Sequence, residues 1–261
     1  MTGEVVFPWP ALGPDRVVHL AETGSTNSEA LRLASHGAAS GTWVIADRQT
    51  AGRGRSGRSW QSEPGNFYAS LILRDVFPLE KAAQLALVSG VAVHAAVTAA
   101  AGENLQAANA LLELKWPNDI LLGRRKLGGI LVESSVTGRN QGALAVVGIG
   151  LNLVHHPDLP GGMATDIFSV GASIAPLNFL PSLDGTMQEW SSKWASGVGF
   201  PAVREAWLAR SLPPGVGLTV NSGRGAVKGV FAGLDPDGAL LLTDETGALQ
   251  TMTFGDVALS T

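Results

Sequence analysis

The chain has 261 residues, 45% of them hydrophobic and 15% charged, with a formal net charge of −4 at pH 7. That length suits one large domain, or one domain plus a small one, with enough apolar content for a sizeable core. The acidic balance argues against a dedicated nucleic-acid surface, and the absence of cysteine removes disulfides, thiol catalysis and cysteine–metal sites.

The five histidines show no metal spacing such as H-E-x-x-H, and His155–His156 reads as a loop pair. The opening M-T-G-E-V-V-F-P-W-P has an early Glu4 and no basic run, so it does not read as a secretory signal, and a cytoplasmic location is expected. Ala82 to Ala101 is long enough to span a membrane, but Gln84, Ser89, Gly90, His94 and Thr98 interrupt it. A buried or amphipathic helix is expected there, with no membrane partner.

In chain order, Arg16 to Leu20 reads as a strand, followed by a turn at Glu22 to Asn27. Asn27 or Ser28 then opens a helix to about His36, stopped by Gly37. Thr42 to Ala46 is a β-branched and aromatic strand. Next comes a basic stretch, Asp47 to Trp60 (D-R-Q-T-A-G-R-G-R-S-G-R-S-W), with four arginines and three glycines. Closely spaced glycines let backbone N–H groups approach a ligand, and arginine forks match carboxylate or phosphate, so the stretch reads as an anion-holding loop. It satisfies G-x-G-x-x-G literally, but a dinucleotide fingerprint must open an apolar helix, and Q-S-E-P-G follows instead. No G-K-[ST] follows, so it is not a P-loop.

Phe67 to Leu73 is a buried strand and Leu79 to Ala101 a long helix. Leu112 to Trp116 and Ile120 to Leu122 are short strands about a turn at Pro117-Asn118-Asp119, and Gly129 to Val136 and Ala143 to Leu153 complete a central sheet. Leu177 to Ala195 and Ala202 to Ala209 read as helices anchored by Trp190, Trp194 and Trp207. Leu212-Pro213-Pro214-Gly215 is the best linker, dividing the chain into 1–212 and 213–261. Past it, short strands at Gly217 to Val220, Ala226 to Leu234, Ala239 to Thr243 and Gln250 to Phe254 read as a small β-barrel. Strands not regularly separated by helices favour α+β over a doubly wound fold.

Four further stretches accompany the arginine loop: G-S-T-N (24–27), K-W-P-N-D (115–119), K-L-G-G-I-L-V-E (126–133) and G-I-G-L-N (148–152). Alone, each has an ordinary structural meaning: a helix cap, a proline turn, solvated lysines, glycines relieving crowding within a sheet. Together, in this order and spacing, they closely resemble the biotin protein ligases. The resemblance covers roughly residues 16 to 155 by motif, and the tail fits that family's C-terminal SH3-like barrel. It implies an α+β catalytic fold, related to the class II synthetases, with a mixed central sheet and flanking helices. Many members carry an N-terminal winged-helix repressor domain; only about twenty residues precede the first strand here, so the ligase without the repressor is expected.

The resemblance implies an ATP-dependent reaction in two steps. Biotin is activated to biotinoyl-5′-AMP with release of pyrophosphate, then transferred to a lysine of a biotin carboxyl carrier protein. By the same resemblance, Arg53 and Arg55 close over the acyl-phosphate and Lys126 sits at the carboxyl end of biotin. Ser25, Thr26, Asn27 and Gln49 hydrogen-bond the ring system, with Gly52 and Gly54 on the loop beside it. Gly128, Gly129, Ile130 and Leu131 form the wall beneath. Lys115 and Asn118 face the nucleotide, Asp119 is the expected Mg²⁺ ligand, Asn152 faces the ribose or triphosphate side, and Trp60 packs over the adenylate. A lipoate or octanoate ligase, or a biotin-binding regulator, are the alternative readings. Homodimers occur in the family, and the sequence does not choose an oligomeric state.

Overall fold

The computed structural model describes residues 9–74, 77–137, 142–159, 162–222 and 225–260. The opening residues, read above as carrying no secretory signal, lie outside that range up to position 8.

Strand β1 (Val17–Thr23) leads through a tight turn into α1 (Thr26–Ser35), and β2 (Trp43–Gln49) pairs parallel with β1. Both early boundaries differ from expectation. Arg16 is not in the strand: it is buried in a short 3₁₀ turn, where its guanidinium meets Asp184 at 3.3 Å. The helix starts at Thr26 with Ser25 at its N-cap, earlier than the Asn27 or Ser28 start. Strand β2 also runs past Ala46, because parallel pairing with β1 continues as far as Gln49.

Then follow β3 (Phe67–Arg74), α2 (Gln84–Ala107), β4 (Leu112–Lys115), β5 (Asp119–Leu122), β6 (Arg125–Thr137) and β7 (Gly142–Leu151). The seven strands form one mixed sheet in the order β1-β2-β3-β7-β6-β5-β4. Its two faces follow the period-two alternation of side chains. Val44, Ile72, Leu144 and Val146 face α1, whereas Trp43, Ile45, Leu71, Leu73, Ala145 and Val147 join the larger core with α2.

Helix α2 is apolar around most of its circumference, as expected of a helix enclosed in a core. Its length and composition alone would pass for a membrane span, yet it packs against the sheet, α3 (Pro176–Trp194) and α4 (Phe200–Leu208). It begins five residues later than expected, since Leu79–Lys81 forms a separate 3₁₀ turn.

The tail folds as an antiparallel sheet of β8 (Gly217–Ser222), β9 (Gly225–Leu234), β10 (Leu240–Thr243), β11 (Leu249–Met252) and β12 (Asp256–Leu259), ordered β11-β10-β9-β8-β12. Strand β12 has no counterpart among the strands expected from the sequence. It is four residues long and follows the strand expected over Gln250 to Phe254, which in the structure ends at Met252. Backbone hydrogen bonds from Leu114 to Arg210 and from Leu212 to Leu114 fix the segment leading into the tail against β4, and the Trp116 indole donates to Gly238 O of the tail at 3.0 Å.

Candidate active site

Residues 52–60 form a compact hairpin rather than an open loop. Arg53 bridges Ser59 antiparallel, Gly54 N donates to Arg58 O at 2.7 Å, and Trp60 N donates to Gly52 O at 2.9 Å. The reversal is made at Ser56 (φ 54°) and Gly57 (φ 72°), both left-handed; glycine tolerates that geometry freely and serine only as an isolated turn residue. Beneath the hairpin lies a cavity of about 420 Å³, within the range of small-molecule sites. Its walls come from the start of α1, the strands β6 and β7, the K-W-P-N-D turn and the edge of the barrel.

At one end of the cavity the polar side chains form a chain of hydrogen bonds. The Thr26 backbone N–H and hydroxyl both donate to Gln49 Oε1, at 2.9 and 3.1 Å. Gln49 Nε2 donates to Ser62, while Ser70 lies within 2.8 Å of the Thr26 hydroxyl and 2.6 Å of Asn27 Oδ1. Asn27 Nδ2 donates to Glu133 Oε2 at 2.8 Å. These bonds fix the orientation of each amide and hydroxyl before any ligand arrives. Ser25 occupies the N-cap position but makes no capping bond, so its hydroxyl is not spent on the helix and lines the cavity. The strand β7 passes close below: a Cβ at Gly148 would stand 2.1 Å from Asn27 Oδ1, and one at Gly150 2.8 Å from the Trp60 ring. These glycines are therefore required for close approach.

At the other end the cations gather. Asp119 accepts Lys126 Nζ on one oxygen at 2.6 Å and Lys115 Nζ on the other at 2.8 Å. Burial would raise the Asp119 pKa, but the two ammonium groups outweigh it and hold the carboxyl at about 2. Arg55 reaches the same region, donating to Asn118 Oδ1 at 3.4 Å and to Gly255 O at 3.1 Å. Burial lowers its pKa, against the opposing pull of Asp256 and Asp119. Trp60 lies over Gly129 and Gly150 with Lys126 Nζ 5.5 Å from its ring centroid. The hairpin thus brings an indole and a guanidinium to the same cavity as two lysines from the far side of the sheet.

Several expected residues are placed differently. Arg53 lines the cavity, but its guanidinium is taken up by Glu133 at 3.0 Å and by Ser28 at 3.2 Å, so only Arg55 of the pair joins the Lys126 cluster. Gly52 and Gly128 do not line the cavity. A Cβ at Gly52 would meet Trp60 O at 2.5 Å, and one at Gly128 would meet the Leu151 side chain at 2.4 Å, so both serve backbone packing. Asn152 lines the cavity as expected, though it is buried and its amide donates to Thr165 O at 2.9 Å, tying β7 to the segment after it. Asp119, the expected Mg²⁺ ligand, has both oxygens on lysines, and among the described residues no three His, Cys, Asp or Glu side chains gather as a metal site. Asp119 thus leaves no free carboxylate oxygen for Mg²⁺ in this arrangement.

The fold also brings in residues with no role expected from the sequence. Ser70 and Glu133 are held in the hydrogen-bond chain by the β3–β7–β6 register; Glu133 closes the K-L-G-G-I-L-V-E motif without an expected role, and nothing local in the sequence marks Ser70. Asp256 and Val257 come from β12, where no strand is expected from the sequence, and Gly255 from the residue just before it. Leu159 and Met163, both exposed, line the mouth from the segment after β7.

Comparison with known proteins agrees with this geometry. The model of the biotin/lipoate A/B protein ligase family matches residues 21–152, and that of the biotin protein ligase C-terminal domain matches residues 216–260. The biotin–[acetyl-CoA-carboxylase] ligase of Paracoccus denitrificans is 41% identical over 236 residues, covering 87% of this chain and 94% of that protein. The structure of the biotin protein ligase of Aquifex aeolicus with biotin and ATP superposes with a TM-score of 0.76 at 27% identity, covering 94% of this chain and 99% of that one. The Leishmania major enzyme with biotinyl-5-AMP superposes at 0.62 and 25% identity, covering 93% and 100%. A mixed sheet with flanking helices, an SH3-like tail, and two motif-bearing strands meeting an arginine hairpin thus coincide with sequence similarity along most of the chain: this protein belongs to the biotin/lipoate A/B protein ligase family, among its biotin protein ligases.

Proposed function

We propose that the chain joins biotin to a carrier protein at the expense of ATP. The observation that carries this reading is the convergence of Lys126, Lys115 and Arg55 on one cavity, beside a pre-oriented row of neutral hydrogen-bonding groups. The neutral row suits a polar, uncharged ring such as the ureido group, and the cations suit the carboxylate and phosphates. Ser25, Thr26, Asn27 and Gln49 hold the ring on this reading, with Gly129, Ile130 and Leu131 as the wall.

In the first step an anionic carboxylate must meet an anionic α-phosphate. Lys126 and Arg55 screen that approach and stabilise the charge passed to the pyrophosphate leaving group. Magnesium enters on the phosphates of ATP as part of the substrate, which is its usual mode where few carboxylates are free. Asp119 stays ionised throughout the physiological range, which makes it a poor base and a good clamp for two lysines. Trp60 and the hairpin shield the mixed anhydride from water. In the second step the amine of a carrier lysine attacks the acyl carbon, the amide forms, and AMP leaves with the bonding electrons on its phosphate.

The acceptor on this reading is the biotin carboxyl carrier protein of acetyl-CoA carboxylase or a related carboxylase, and the reaction runs in the cytoplasm, where ATP and the carrier are both present. Residues 1–212 form the catalytic domain and residues 213–261 the barrel domain. Incubation with α-labelled ATP, Mg²⁺ and biotin is expected to give biotinoyl-AMP and pyrophosphate, and lipoate in place of biotin to give no adenylate. A protein that forms lipoyl-AMP in preference would sink the assignment.

A further inference from the structure

Three consecutive barrel residues each hold one cation of the cavity. Gly255 O accepts Arg55 Nη2 at 3.1 Å, Asp256 Oδ1 accepts Arg58 Nη2 at 2.6 Å, and Val257 O accepts Lys115 Nζ at 2.6 Å. The Ser56 hydroxyl adds a longer bond to Asp256 Oδ2 at 3.4 Å. The arrangement follows from strand geometry. Strand β12 is the edge of the barrel sheet, pairing with β8 on one side only. Carbonyls alternate in direction along a strand, so residues 255 and 257 present theirs to the unpaired side, where an edge would otherwise offer unsatisfied acceptors. Arg55 and Lys115 satisfy them.

The division between the two arginines follows from distance. The Asp256 carboxylate is 2.6 Å from Arg58 but 4.0 Å from Arg55. Arg58 therefore takes the close ion pair, whereas Arg55 is hydrogen-bonded by a neutral carbonyl and an amide, feels Asp256 only at 4.0 Å, and turns its guanidinium toward the cavity. The two are joined by the 3₁₀ turn Arg55–Gly57, so fixing Arg58 fixes the direction in which Arg55 projects. We propose that Asp256 is a positioning residue for adenylation: it tethers Arg58 at the tip of the hairpin to the barrel and so aims Arg55 at the end of the cavity where Lys126 lies. This rests on the ligase reading for the chemistry it serves, though the tether itself does not.

Because Asp256 is only partly buried and Arg58 is exposed, the pair biases the hairpin without locking it; pairs of this kind shift a population by about fivefold or less. The test compares wild type with Asp256→Asn in the full chain by amide hydrogen exchange and by single-turnover adenylation. The Asp256→Asn variant is expected to exchange several-fold faster at the Gly54, Arg58 and Trp60 amides, with the exchange of β3 and β7 unchanged. Single-turnover adenylation is expected to slow about fivefold or less, in proportion to the lost hairpin population, while biotin affinity and the thermal midpoint stay at the wild-type values. Arg58→Ala should have a similar effect, and adding Asp256→Asn to Arg58→Ala should change much less than Asp256→Asn alone, since the 2.6 Å ion pair is the dominant contact beside the longer ones to Ser56 and Arg55. Unchanged hairpin exchange in Asp256→Asn, or effects of the two substitutions that simply multiply, would overturn the proposal. A wild-type protein that forms no biotinoyl-AMP would instead refute the ligase reading, and the exchange comparison would still judge the tether.

Discussion

Lys126 and Lys115, eleven residues apart in the chain, share one largely enclosed carboxylate: Asp119 holds the first at 2.6 Å and the second at 2.8 Å. The register of β5 with β6 makes this meeting, placing Asp119 opposite Gly129 and Leu121 opposite Lys126, with the pairing shifted between Ile120 and Leu121. Two positive charges this close would repel, and the carboxylate between them is what permits the pair.

Removing Lys126 tests the chemistry most directly. In Lys126→Ala the biotin ring keeps its hydrogen-bonding row, so binding should weaken modestly while adenylation falls by about 10²–10³-fold, the usual cost of one positioned charge-stabilising group. Single-turnover formation of biotinoyl-AMP measures it, with circular dichroism to show an intact fold. A wild-type rate would remove Lys126 from its role.

Acid should release the clamp. The Asp119 pKa is held at about 2, below its ordinary value of 3.8, so the carboxylate contributes stability that is complete above about pH 4 and is lost as pH falls toward 2. The full contribution is about 2 kcal/mol. Urea unfolding of wild type and Asp119→Asn between pH 6 and 2.5 should show a difference that narrows through this window. A difference that is constant with pH would contradict it.

The ring end can be tested by adding one methyl group. In Gly148→Ala the new Cβ would stand 2.1 Å from Asn27 Oδ1, so the amide must move and break its bonds to Ser70 and Glu133. Overpacking of this kind costs about 1–3 kcal/mol. Biotin affinity should fall at least about tenfold by calorimetric titration, with a smaller effect on the apparent affinity for ATP. Equal losses for both ligands would place Asn27 elsewhere in the reaction.

Arg55→Ala should separate formation of the adenylate from its retention. Its guanidinium contacts Asn118 and the barrel rather than the ring end, so biotin binding should persist. Adenylation should slow by about 10²-fold, and any biotinoyl-AMP formed should escape to solvent faster than from wild type. Filter-binding release of labelled adenylate reads this.

Much of this molecule was legible in one dimension because its signals are local. β-branched runs, glycine stops and a proline-rich linker marked most elements within a few residues. Five short motifs, each with polar groups beside glycine, named most of the side chains that line the cavity. The errors fall where pairing rather than propensity decides: parallel pairing with β1 extends β2 to Gln49, and β12 exists because β8 offers it an edge.

The sequence by itself determined the kind of chemistry, since residue types at fixed spacing state what charges and donors are available. Only the tertiary structure decided which of them act together. It gave Arg53 to Glu133 and left Arg55 to the lysines, set Asp119 between Lys115 and Lys126, brought Gly255 and Asp256 to the arginine hairpin across some two hundred residues of chain, and brought Val257 to Lys115. The physical reason is that a carboxylate's partner is set by distance and burial, and strand register and the packing of one sheet edge against another domain fix both.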